Sequence, residues 1–306
     1  MGAAESPETA MEGSRSLLRP LLVAHLLNWL LLGVLSVQVY IYHISFPKDT
    51  KKTKTLVYFI YLVEFVQNAF IGETAIHLFA DHFGDLHELN QIGSIWITAT
   101  LMSALPAFIS QAFYAYRVRV LSHSKTLPLV ILLLSVTQGA AGLAVTVLGF
   151  NAKIISDLFT KEIVLITTIA NASSALCDII IAATLTYYLS GSRSGFRRTG
   201  SLLTKIIALI IGTGALTAMV TIINLVFLLL ASEMQFFYFV LTGGTLGKLY
   251  ANSILVVLNN RPSSEISSED STDIVISARS LHFSIPISGQ SELDSRATRR
   301  YSAPGQ

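Results

Sequence analysis

The run LTGGTLGKLYANSILVVLNNRP, residues 241–262, puts Lys248 in the middle of a stretch whose neighbours suit an apolar medium. An ammonium group there can snorkel to an interface, pair with a buried acid, or act as a Schiff-base lysine. Two acids sit in comparable surroundings, Glu64 within LVEFVQN and Asp178 within LCDIII. At about 1.5 Å of rise per residue, Lys248 lies about 15 Å from Leu258, Asp178 about 16 Å from Leu189, and Glu64 about 12 Å from Leu56. Three charges thus fall at similar depth on three helices. A lone charge at that depth costs on the order of several kcal/mol, so such residues face the bundle interior and pair. An ion pair between Lys248 and Asp178 or Glu64 is the expectation, with snorkelling and a polar ligand or ion pocket as alternatives. Asn252, one turn from Lys248, can add a hydrogen bond. Glu64, Asp178, Lys248 and Asn252 therefore form the expected buried polar or ligand-binding cluster.

A second concentration of chemically able residues is HLFADHFGDLHELN, residues 77–90. Its histidines and carboxylates are zinc-ligand types, with His77, Asp81 and His82 the weak candidates for metal ligands. The His-to-His spacing of five, however, sets neighbouring rings about 140° apart on an α-helix. A polar loop is the expected reading, with no metal and no cofactor. The chain has no G-x-S-x-G elbow, phosphate loop or H-E-x-x-H motif, and this weighs against an enzyme. The sequon at Asn171 falls inside an apolar span and is not expected to be glycosylated.

These residues must be positioned by elements that suit a membrane. The 306-residue chain is 52% hydrophobic and only 13% charged, with a mean hydropathy of +0.60. That balance excludes an ordinary soluble domain, and a net charge of +2 gives no basis for nucleic-acid binding. A single cysteine, Cys177, excludes an internal disulfide. Seven stretches, roughly 20–43, 56–80, 92–116, 128–150, 163–189, 203–230 and 235–258, are long and apolar enough to span a bilayer as helices. Pro106 is expected to kink the third. Small-residue pairs such as Gly243/Gly247 and Gly214/Ala218 permit close helix contact. The fold class is an all-α, seven-helix transmembrane bundle, residues 20–261. A flexible extracellular N-terminus, residues 1–19, precedes it.

Charge sets the expected orientation. Twelve basic residues, from Lys48 and Lys51 to Arg261, flank the ends after spans 1, 3, 5 and 7, against four on the other side: Arg15, Arg19, Lys153 and Lys161. The positive-inside rule then puts the N-terminus outside and the C-terminus in the cytosol. MGAAES at the start fits a myristoylation pattern that requires the opposite, but the pattern is short and the charge bias outweighs it. Residues 262–306 hold twelve serines and no apolar periodicity, so a disordered cytosolic tail is expected. Ser302 after Arg299-Arg300 and Ser268 before Glu269-Asp270 are candidate phosphorylation sites for a cytosolic kinase. The basic loop SGSRSGFRRTGS suits anionic lipid headgroups.

Likeness to rhodopsin-type receptors is topological only: no acid precedes Arg117, and no proline follows Asn252. A retinal protein would use Lys248, yet the third span offers no carboxylate as counter-ion. More specific phrases run through the chain. They are QVYIY (38–42), FPKD (46–49), Glu64 with Gln67, HFGD (82–85), QAFYAYRVRVLS (111–122), DIIIAATLTYYLSGSRSGFRRTGSLLTKII (178–207), GTGALTA (212–218) and KLYANSILVVLNNR (248–261). Together these resemble an uncharacterised seven-helix membrane family, a domain of unknown function expanded in mushroom-forming basidiomycete fungi. The resemblance covers about residues 21–261. Gly200 departs from it where an aspartate is usual. The resemblance implies the fold and leaves the activity open.

The expected role is a receptor-like or sensory protein, in the plasma membrane, that binds a small apolar or lipid ligand among membrane lipids. A transporter or carrier is the alternative, though seven spans do not divide into equal repeats. An intramembrane zinc hydrolase comes third. An epitope tag at the N-terminus should be stained on intact cells, and one after Arg261 only after permeabilisation. A protected N-terminal tag would reverse the orientation.

Overall fold

A computed structural model describes residues 7–82, 91, 96–150, 152, 154, 157–158, 160–191, 197–230 and 233–261. The expectations for Ser268, Ser302 and the rest of the tail, and for residues 83–90, lie outside these. Seven helices follow in order: α1 (Pro7–Ser45), α2 (Lys51–Ile76), α3 (Met102–Ser122), α4 (Thr126–Phe150), α5 (Lys161–Gly191), α6 (Arg197–Leu230) and α7 (Glu233–Asn259). Each contains a segment long and apolar enough to cross a membrane. The outward surfaces agree with that reading. Leu30, Leu62, Leu133, Leu165, Met219 and Leu229 are all more than half exposed, an arrangement water would not tolerate. The chain is an all-α, seven-helix membrane protein.

Several boundaries differ from the sequence expectation. α1 starts at Pro7, within the 1–19 segment expected to be flexible, because Pro7 suits a first helical position and Glu8 favours the helix N-terminus. The third span ends later than 92–116, and residues 92–95 of that expectation lie outside the described ones. Its described part opens with a π-helical turn, Trp96–Leu101, and runs to Ser122, where His123 takes a left-handed conformation at φ 51°. α2 likewise ends in a π-helical turn, His77–Asp81. At its other end the Thr50 side chain accepts from the Thr53 amide and caps α2.

The last helix is the central one. In α7, 61% of the apolar window is buried inside the protein, against 28–39% in the other six. It packs on α1, α2, α3 and α6. Gly247 makes the closest approach possible: a Cβ there would lie 3.0 Å from Glu64 Oε1 and 3.3 Å from Ser103 Cα. Gly243, one turn earlier, instead faces the Asn224 amide of α6, so the two glycines serve different neighbours.

Along its length the bundle divides in two. Toward the basic end, two apolar clusters fill the interior. Leu35, Tyr42, Ile60, Ile254 and Leu258 form one; Val118, Ile131, Cys177, Leu185 and Val257 form the other. Toward the opposite end the interior turns polar, with Asn28, Glu64, Gln67, Asn68, Ser103, Gln138, Ser174, Asn224 and Lys248 all buried.

A polar lock closes the basic end. Tyr42 donates to Asp49 Oδ2 at 2.7 Å, and Arg261 Nη2 meets the same oxygen at 2.7 Å. Arg261 also stacks over Phe46, and Asn259 donates to the Gln38 carbonyl. The last residues of α7 are thereby fastened to α1 and the loop after it. Burial alone would push the Asp49 carboxyl up, but the bonds from Arg261 and Tyr42 outweigh it and hold its pKa below the ordinary value. Because the folded value is depressed, this stabilisation is present above the unfolded value of about 3.9 and fades as pH falls through the folded one. Asp49→Asn should lower stability by about 1 kcal/mol at neutral pH, since the pair is partly exposed. The difference from wild type should vanish in strong acid. Thermal unfolding of the detergent-solubilised protein between pH 7 and pH 2 measures both.

Candidate functional site

Lys248 is fully buried and pointed inward. Its Nζ donates to Glu64 Oε2 at 3.1 Å and to Gln67 Oε1 at 3.0 Å. Gln67, three residues from Glu64 on the same face of α2, passes the contact onward. Its Nε2 donates to Ser103 Oγ at 3.0 Å and to the Thr98 carbonyl at 2.8 Å. Thr98 belongs to the π-helical turn, and Ser103, five residues later, also donates its hydroxyl to that carbonyl. The wide turn thus presents a backbone acceptor to the bundle interior. Glu64 Oε1 and both amide atoms of Asn68 have no hydrogen-bond partner among the described residues.

Asp178 is not in this group. Tyr250 donates to its Oδ2 at 2.7 Å and Gln111 to its Oδ1 at 3.3 Å, while Ser174 Oγ lies 2.9 Å from the Tyr250 hydroxyl. The reason is rotational: Lys248 and Tyr250 are two residues apart on α7 and point about 200° from one another. Lys248 therefore addresses α2 and Tyr250 addresses α5. Equal depth was legible in the sequence, but depth alone does not tell which face a residue takes. Asn252 is also displaced from its expected role. It donates to the Lys248 carbonyl at 2.7 Å and to the Leu31 carbonyl at 3.3 Å, tying α7 to α1 and leaving the ammonium alone.

The histidine region corrects one geometric expectation. The wider π-helical turn His77–Asp81 brings His82, the residue after it, back beside His77, with ring centroids 4.3 Å apart and planes tilted by 54°, where α-helical geometry separates them. Asp81 lies in the same turn. Among the described residues, no three or more His, Cys, Asp or Glu side chains are grouped to hold a metal ion.

Between α3, α4, α5, α6 and α7 lies a cavity of about 90 Å³. Thr100, Gln138, Asn171, Asn224, Ser174 and Tyr250 supply its polar wall, and Ala99, Ala104, Ala107, Val145, Ala170 and Leu246 the apolar remainder. Asn171 donates to Asn224 Oδ1 at 3.0 Å, and Asn224 in turn donates to the Phe239 carbonyl and the Thr242 hydroxyl, both at 2.8 Å. Gln138 Oε1 has no partner among the described residues. Sequence reasoning did not single out Gln138, Asn171, Asn224 or Tyr250 as site residues. Their common signal is an amide or phenol in a helix otherwise fit for lipid, where polar groups face inward.

The fold and site define a seven-helix membrane protein with a polar interior that holds one buried ion pair and a small central cavity. The sequence profile of a family of unknown function (DUF6534) matches residues 174–263, which span α5, α6 and α7 and include Ser174, Asp178, Lys248 and Tyr250. Comparison with curated proteins and with solved structures returned no match.

Removing one partner of a buried pair strands the other. Lys248→Ala should destabilise the protein by about 3–5 kcal/mol. Lys248→Met combined with Glu64→Gln should recover most of that loss, because no buried charge remains. Thermal unfolding in detergent measures the series. A double variant no better than the single one would mean that the ion pair is not what the lysine supplies.

Proposed function

We propose that this protein is a receptor-like or sensory seven-helix protein of the plasma membrane, which holds a small, mostly apolar ligand in the cavity between α3 and α7. The observation that carries this reading is the unpartnered Gln138 Oε1 beside a cavity of about 90 Å³ whose remaining polar wall, Thr100, Asn171, Asn224, Ser174 and Tyr250, faces alanine, valine, leucine and Phe239. A buried acceptor without a partner favours a ligand that brings one hydrogen-bond donor. The volume exceeds the roughly 10–15 Å³ that one water needs, yet falls well short of a sterol. A compact alcohol-like molecule fits both limits better than a large lipid. With the N-terminus outside, as the charge bias suggests, this polar half of the bundle lies toward the exterior and the lock at Arg261 toward the cytosol.

A carrier would need the same cavity to open alternately to both sides, and the apolar clusters toward the basic end favour the sensor. Mass spectrometry of small molecules released from purified protein tests the reading. A compact, largely apolar compound should be recovered near one per chain. It should be lost from Ala170→Leu, which fills the cavity from α5. Recovery of a polar metabolite would favour the carrier. Equal amounts of the same lipids from both proteins would overturn the cavity as a ligand site.

A further inference from the structure

A second, smaller cavity of about 20 Å³ adjoins Asp178, lined also by Ser110, Tyr114, Thr213, Thr217 and Ser253. Ile181, Ile210, Gly214 and Tyr250 complete its wall. The Thr213, Thr217 and Ser253 hydroxyls donate to carbonyls of their own helices, Leu209, Gly214 and Leu249, at 2.8, 3.1 and 2.7 Å. Thr217 also reaches the Asp178 carboxylate, so the lone pairs of Thr213 and Ser253 are what remain for the cavity. Ser110 is 1% exposed, lines the same space, and its Oγ has no partner among the described residues. Gln111 Oε1, next to the carboxylate that its own Nε2 contacts, is likewise unpartnered.

Charge points the same way. Asp178 is 5% exposed, and no cation pairs with it among the described residues. Lys248, the nearest candidate by sequence depth, is committed to Glu64. A carboxylate in the middle of a membrane span needs compensation, and the hydrogen bonds it receives, from Tyr250, Gln111 and Thr217, carry no net charge. We propose that Asp178, Ser110 and the surrounding hydroxyls bind one alkali cation, with sodium the fit. Hard oxygen donors select a hard cation. A single carboxylate balances one positive charge, whereas a divalent ion takes six or more oxygens with more negative charge among them. The space admits one ion or one water and nothing larger. This site is separate from the ligand cavity and does not require it, although Tyr250 borders both.

Thermal unfolding of the full-length protein in dodecyl maltoside decides the matter, with sodium chloride titrated against choline chloride at constant ionic strength. Sodium should raise the melting temperature by several degrees in a saturable manner, with potassium weaker. Asp178→Asn should abolish the response. Ser110→Ala, a small change that keeps the carboxylate, should shift the half-effect concentration several-fold higher, and serves if Asp178→Asn does not fold. Equal melting in sodium and choline would mean that Asp178 is neutral or that a water fills the space, and would overturn the site. So would an unchanged sodium response in both variants. Neither result bears on the compound sought in the larger cavity, so the two readings fail separately.

Discussion

A charge surrounded by hydrocarbon must be met by the protein itself, and most of the arrangement around α7 follows from that constraint. The Lys248 ammonium sits between Glu64 and Gln67, and satisfying it requires α2 to lie close to α7. Gly247 allows the approach, since any side chain at that position would collide with Glu64 Oε1. Gln67 then recruits the Thr98 carbonyl, which the π-helical turn before α3 leaves accessible. One ion pair thus sets the spacing of three helices. The polar half of the interior is ordered around that contact, while the apolar half needs only close filling.

The two π-helical turns lie at corresponding places, one ending α2 and one opening α3. Each widens its helix near the end of the bundle opposite the basic loops. The first brings His77 beside His82; the second supplies a backbone acceptor to the polar interior. Turns of this kind recur where a helix must present a group that regular geometry would hide.

The seven spans were legible because a run of about 20 apolar residues has few other fates. The polar pair was partly legible: Glu64, Asp178 and Lys248 stood out as charges in apolar helices, and their depths could be counted from the ends. The choice of partner could not be counted, because it depends on how each helix is rotated. Asp178 and Lys248 look alike in depth yet face different neighbours, and Asn252 shares a face with Lys248 but bonds only its carbonyl. The π-helical turns left no periodic trace, so the five-residue histidine spacing read as scattered although the rings of His77 and His82 lie 4.3 Å apart. The cavity was invisible for a further reason. It is made by Ala104, Ala107, Ala170 and Gly142 on three helices being small together, a property of packing and of no single stretch.

The position of α7 at the centre has a consequence for how the molecule is made. Glu64 enters the membrane with the second helix, and the lysine that neutralises it follows 184 residues later in the chain. Throughout synthesis of the intervening helices, the nascent protein carries an unmatched acid and lacks its central post. The first six helices can pair with their neighbours, α3 with α4, α4 with α5 and α5 with α6, but α1 waits for the helix it packs against most. Completion is then a late docking event, and a chain that stops short of α7 is left with two carboxylates, Glu64 and Asp178, stripped of the lysine and the phenol that meet them in the finished protein.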